Sequence, residues 1–316
     1  MIQFIKNNYV FAMISKINIK LLITLICFTF LGTSIYGNFE SLSDQTISRQ
    51  EILWLLGGVL FTFFSIIINA YAWKFLINNI VINPTNLKII KIFLATNIYK
   101  YLPGGIWHFV SRFNTLRTEL STEKSVESIF LEPLLMLVAG LIFIPFGSFN
   151  IAINILCWAS TLSFLPGFRK FLVKKLKVMK ANFFSKLDHV KDGKQEKSDN
   201  NVLIRMFYPY KALFVEIIFV LFRFLGFLCC MNAFSIGALI SQGELISIFS
   251  LAWVIGLIVP AAPGGFGVFE SVILFTLGSD LPEASLLASL LCYRLVSTIS
   301  DIFAAMIYPV KKLFKV

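Results

Sequence analysis

Charge is scarce in this sequence: Asp, Glu, Lys and Arg together make up 14% of its 316 residues, well below the balance of a soluble domain. Histidine occurs twice, and the five cysteines (Cys27, Cys157, Cys229, Cys230 and Cys292) lie in apolar segments with no CxxC spacing. Neither a metal site nor a disulfide framework is indicated. No glycine-rich phosphate loop of the ATP-binding kind is present. No paired-carboxylate or Ser/His arrangement stands out, and no polar stretch is long enough to fold as a separate catalytic domain. Catalytic residues and cofactors are therefore not expected.

What the chain has instead is oil. Hydrophobic residues make up 57% and phenylalanine alone contributes 34. Apolar runs such as 52–76 and 212–230 match the roughly 20 residues that carry a helix across about 30 Å of hydrocarbon. They do not alternate as barrel strands do. The fold class expected is an all-α integral membrane protein. The net charge of +11 forms no basic nucleic-acid-binding module; its residues flank the apolar runs, where a cytoplasmic bias places them.

Hydropathy and lysine placement give six spans, roughly 18–36, 52–78, 124–147, 149–166, 210–237 and 282–308, with broken stretches at 89–119 and 245–279. Lys6, Lys16 and Lys20 precede the first span, which reads as retained rather than as a cleaved signal, because no A-x-A-like site follows it. Acidic residues dominate 38–51, whereas Lys88 and Lys91, the basic loop 169–211, and Lys311, Lys312 and Lys315 follow the second, fourth and sixth spans. All these clusters agree on cytoplasmic termini. One membrane domain is expected over 1–316: a first span and outer loop (1–51), a first repeat (52–147), a linking span with a basic loop (148–209) and a second repeat (210–316).

Each broken stretch consists of two apolar arms of about 14 residues around a Pro-Gly-Gly, too short to cross singly. They read as re-entrant hairpins. Irregular backbone at that depth is tolerated only where protein buries it or a watery cavity meets it. The tips Pro103, Gly104, Gly105 and Pro263, Gly264, Gly265, with Gly267 beyond, are therefore candidate site elements. The single shift that lays Pro103 on Pro263 superposes the whole of both tips and also aligns Phe109 with Phe269, Ser111 with Ser271, Glu123 with Glu283 and Ser125 with Ser285. Three spans separate equivalent positions, so the second copy is expected upside down, in the inverted-repeat plan of transporters. Between the repeats, the helically spaced apolar residues of 168–187 alternate with lysines. This pattern suits a helix lying on the inner leaflet, or a solvated one.

An ionisable side chain at the bilayer centre costs about 3 kcal/mol on insertion scales and calls for a partner or a role. Arg112, Glu132, Arg223, Glu270, Arg294 and Asp301 are the candidate substrate-binding residues. Arg112 and Arg294 follow the hairpins, and an arginine fork suits a phosphate. Glu270 is either a charge stabilising its helix N-terminus or a partner of Arg294 in the empty site, with a lipid phosphate competing for the arginine. Pro133 would kink its helix and turn Glu132 toward the same cavity. Arg223 with Glu216, and Arg294 with Asp301, are spaced by seven and would flank polar stripes. Glu216 is expected at the interface and Lys100 to snorkel, while His108 has no evident partner.

PAAPGGFGVFE (260–270), followed by ASLLCYRLVS, resembles the membrane region of lysylphosphatidylglycerol synthetases and their stand-alone relatives, and YLPGGIWHFVSR (101–112) resembles that family's first broken segment. Glu132 falls on the acidic residue of the family's Glu-Arg-x-x-Asp pattern, whose other two places are Pro133 and Met136 here. The resemblance implies a lipid flippase in the plasma membrane. Aminoacyl transfer is not expected, because the chain ends at Val316, shortly after the sixth span. Two alternatives stay open: a non-transporting partner of an envelope glycosyltransferase, and an enzyme acting on a lipid-linked sugar. Membrane lipids are the expected partners, with a homo-oligomer also open.

Overall fold

The computed structural model describes residues 29, 32–33, 36–37, 49–81, 88–102, 106–147, 150–165, 167, 208–259 and 267–307. Among these the regular structure is entirely helical. In chain order the helices are α1 (Arg49–Ile80), α2 (Ile89–Asn97, continued as a 3-10 turn over Ile98–Tyr101), α3 (Trp107–Leu116) and α4 (Thr122–Leu141). They are followed by α5 (Ile151–Ala159), α6 (Tyr210–Ala233), α7 (Gln242–Ile258), α8 (Val268–Leu277) and α9 (Glu283–Met306). Local chemistry sets several starts. The Ser121, Asn150 and Ser241 side chains accept from backbone N–H groups at the openings of α4, α5 and α7, and Pro209 and Pro282 precede α6 and α9.

Four helices are long and apolar enough to cross a bilayer: α1, α4 with its extension to Phe146, α6 and α9. The chain is thus a multi-pass membrane protein, and the apolar outer face of α1, including Leu53, Leu56 and Leu60, is exposed as lipid contact requires. The predicted fourth span is shorter than expected: Ile151–Phe164 is a helix ending in a 3-10 turn and reaches about 23 Å. The predicted first span and basic loop lie almost wholly outside the described residues.

The helices other than α5 come in two sets of four. Arg49 and Tyr210, Trp107 and Val268, and Thr122 and Glu283 open equivalent helices, and Asn97 and Ile258, and Leu116 and Leu277, close them. One and the same interval along the chain separates the members of every one of these pairs. Packing repeats as well. α1 against α2 is matched by α6 against α7, α2 against α3 by α7 against α8, and α3 against α4 by α8 against α9. Contacts between the sets are also paired, because α2 packs on α9 as α7 packs on α4, and α1 on α9 as α6 on α4. The first and second sets therefore interlock through their short arms.

At the centre α1 meets α6 directly, which needs small residues where the backbones approach. A Cβ on Gly226 would sit 2.3 Å from Thr62 Oγ1 and 3.3 Å from the Gly58 carbonyl oxygen. Gly226→Leu is expected to destabilise the fold by about 1–3 kcal/mol through overpacking, read as a lower melting midpoint in detergent. Gly57→Ala, whose new Cβ would be at an ordinary 3.7 Å from Cys229 Sγ, should melt like the unmodified protein.

Candidate functional site

Charged side chains are collected in the interior, at the helices flanking the breaks. Arg112 of α3 is 1% exposed. Its Nη1 donates to both carboxylate oxygens of Glu132 on α4 at 2.6 Å, and its Nε donates to Thr96 Oγ1 at 3.2 Å. The guanidinium also lies 3.9 Å from the ring centre of Phe93 and 5.2 Å from that of Trp73, a favourable seat for a weakly hydrated planar cation. Glu132 is buried, so Pro133, although inside α4, does not turn the carboxylate toward an open cavity. Arg112 closes over it instead.

The second pair is built by the Gly-x-x-Glu at the start of α8. Gly267 caps this helix at φ 89° and ψ −45°, a left-handed conformation that a Cβ disfavours. This geometry lets the Gly267 N–H donate to Glu270 Oε2 at 2.8 Å. The other oxygen, Oε1, accepts from Nε of Arg294 on α9. Glu270 thus both caps its own helix and holds the arginine, so the two readings of this residue coexist in one geometry. Phe269 places its ring 5.4 Å from Cζ of Arg294.

These two pairs are charge-reversed counterparts. In the first set the base stands on the short arm α3 and the acid on the long helix α4; in the second the acid stands on α8 and the base on α9. Glu132 and Arg294 occupy equivalent places in the two sets, to within a single position of the helix register. A third cluster joins the sets. Asp301 on α9, fully buried, accepts from Asn97 Nδ2 at 2.7 Å, from the Tyr101 hydroxyl at 2.6 Å and from Lys100 Nζ at 2.7 Å. Lys100 therefore reaches a buried carboxylate instead of snorkelling, and Asp301 is engaged by the first arm. The 3-10 turn at the end of the first arm, with Asn97 just before it, presents three donors to one carboxylate.

Arg223 on α6 is 6% exposed. Its Nη1 donates to Ser297 Oγ at 3.4 Å, and its guanidinium lies 5.4 Å from the Trp253 ring centre. Glu216, expected at the interface, is buried with Oε1 unpartnered and lies within electrostatic reach of Glu132. The His108 ring lies 3.8 Å from that of Phe109, tilted by 39° to it, and its Nδ1 has no partner among the described residues. The tips Pro103, Gly104, Gly105, Pro263, Gly264 and Gly265 lie outside the described residues. Charge at membrane depth pointed to most of these side chains. Sequence reasoning passed over Asn97 and Tyr101, whose signal was polarity at the end of an otherwise apolar arm.

Four long apolar helices, broken short arms and a set of interior ion pairs define a polytopic membrane protein with a polar core. The family model of the lysylphosphatidylglycerol synthase TM region matches residues 17–305, and the chain belongs to that family. Among curated proteins none matches.

Proposed function

We propose that the protein moves a polar lipid between leaflets of the plasma membrane, as a flippase or transporter rather than an enzyme. The family is linked to flippase-type membrane function, and the fold supplies what such a task demands. In our reading the two sets of four helices are inverted relative to each other. The arms α2 and α3 enter from the cytoplasm and α7 and α8 from outside, and the termini are cytoplasmic. The headgroup passes between the breaks while its tails stay in lipid, and one set rocks against the other to alternate access.

The observation that carries this reading is the pair of charge-reversed ion pairs, Arg112 with Glu132 and Glu270 with Arg294, one beside each break. Fixed structural pairs in lipid are costly, whereas pairs that exchange partners with a zwitterionic or anionic headgroup give the polar core a task. Arg294 is the better placed to exchange: its side chain is 16% exposed, against 1% for Arg112.

The test is reconstitution into liposomes with fluorescent lipids of different headgroups, following transfer to the outer leaflet by quenching. Arg294→Ala, if it elutes as a monodisperse protein, is expected to slow transfer by about tenfold or more, in line with losing a buried charged hydrogen bond. Equal rates for the variant and the unmodified protein would remove Arg294 from the path.

A further inference from the structure

Four cations are embedded among the described helices near the breaks: Lys100, Arg112, Arg223 and Arg294. Lys100 faces Asp301, Arg112 faces Glu132 and Arg294 faces Glu270. Arg223 has no carboxylate within salt-bridge distance among the described residues, and its Nε has no acceptor. Its one polar contact among the described residues is the long bond to Ser297 Oγ at 3.4 Å. Glu216, seven residues back on α6, is about 10 Å away along the helix axis, and its Oε1 has no partner among the described residues. A buried guanidinium without a counter-charge is costly, so its retention in the interior calls for an anion beyond the carboxylates of the described helices.

The surroundings of Arg223 offer donors. Ser297 and, one turn earlier on α9, Tyr293 contribute hydroxyls, and both residues are buried. On α7, Trp253 lies beside the guanidinium, and its Nε1 has no acceptor among the described residues. One turn before it, the Ser250 hydroxyl is buried and likewise unpartnered. Asp301, one turn after Ser297 on α9, already accepts from Asn97, Tyr101 and Lys100. An arginine fork with neighbouring hydroxyl and indole donors suits an oxyanion.

We propose that Arg223, assisted by Ser297, is the anion subsite that holds the phosphodiester of a lipid headgroup while it is inside the protein. The assignment rests on the transport reading and deepens it: Arg294 is the exchangeable pair beside the outer break, and Arg223 is the interior station. Because Arg223 is in no ion pair among the described residues, its neutralisation breaks none of theirs.

The experiment uses the full chain in detergent, with dihexanoyl phosphatidylglycerol, phosphate-free dihexanoylglycerol and inorganic phosphate at matched ionic strength as probes. Affinity is read from the ligand-dependent rise in melting midpoint. The unmodified protein is expected to be stabilised by the phospholipid and not by its phosphate-free counterpart. Arg223→Gln should keep or raise the ligand-free midpoint and bind the phospholipid about 10- to 100-fold more weakly. Arg223→Lys should fall between, because it keeps the charge and loses the fork, and Ser297→Ala should weaken binding several-fold.

Unchanged phospholipid affinity in Arg223→Gln would overturn the assignment. So would a collapsed fold in Arg223→Gln together with unchanged affinity in Ser297→Ala. Stabilisation by inorganic phosphate at the same concentrations as the phospholipid would overturn the lipid source. Liposome transfer separates this from the parent reading. Wild-type rates in Arg223→Gln sink the subsite alone, whereas phospholipid binding without transfer by the unmodified protein sinks the transport reading and leaves the subsite standing.

Discussion

Glu132→Ala is expected to destabilise the protein by about 3–5 kcal/mol, the cost of leaving a buried charge without its partner. Arg112 is the most deeply enclosed of the interior arginines. Its charge is balanced by one carboxylate that accepts twice from the same nitrogen at 2.6 Å. Thr96 takes the Nε hydrogen but carries no charge, and the Phe93 and Trp73 rings offer only their faces. Once the carboxylate is gone, Glu216, which lies within electrostatic reach of Glu132, is the acid placed to take over. The stricter variant therefore combines Glu132→Ala with Glu216→Gln. The double replacement Arg112→Met with Glu132→Leu removes both charges, and buried pairs replaced by apolar residues are often neutral or stabilising. It should recover the melting midpoint while transfer stays slow. A wild-type midpoint in Glu132→Ala, Glu216→Gln would mean that the pair contributes nothing to the fold.

The residues of these pairs were legible in the sequence because a charge inside an apolar run is conspicuous wherever it falls. Of their partnerships, only that of Glu270 with Arg294 was read there, as one of two alternatives for Glu270; the others were not. Arg112 and Glu132 are 20 residues apart, Glu270 and Arg294 are 24, and Asn97 and Asp301 are 204; nothing in linear spacing selects among four cations and four acids. Glu216 misled because its distance from the end of an apolar run says how far along the helix it stands, not which face it occupies. The segment 149–166 misled because hydropathy registers oiliness and not where a helix tightens into a 3-10 turn. The shift that lays Pro103 on Pro263, drawn from a handful of identities, differs by a single position from the interval that carries Trp107 to Val268 and Thr122 to Glu283 at the helix starts. Pro-Gly-Gly and the acidic or hydroxyl caps mark those boundaries in the sequence itself. The pairing of contacts between the two sets, by contrast, is a property of the packed chain alone.

Asp301→Ala is expected to have a comparably large effect with a different signature. The Glu132 and Glu270 pairs each lie within one set of helices, whereas Asp301 is where the first arm is tied to the last helix of the other set. Its two oxygens accept from Asn97, Lys100 and the Tyr101 hydroxyl, and the Tyr101 oxygen is also 3.5 Å from Thr298 Oγ1, three residues earlier on α9. Truncation to alanine frees three donors at once and leaves Lys100 without a counter-charge. Lys100 differs from Arg112 in being 21% exposed, so it has a route toward water. The loss should therefore be local before it is global. Amide hydrogen exchange of 89–102 is expected to accelerate strongly in Asp301→Ala, while α6 and α7, which contribute nothing to the clamp, keep their protection. Asp301→Asn retains the shape and an acceptor but not the charge; it should lie between, costing about 1–3 kcal/mol as a weakened set of hydrogen bonds to a charged group does. On the transport reading proposed above, rocking of one set against the other would need a tie that transmits force between them, and both variants should then slow lipid transfer more than their stability loss explains. Unaltered exchange over 89–102 in Asp301→Ala would show that packing of α2 on α9 holds the arm without the carboxylate, and the coupling role would pass to that apolar contact.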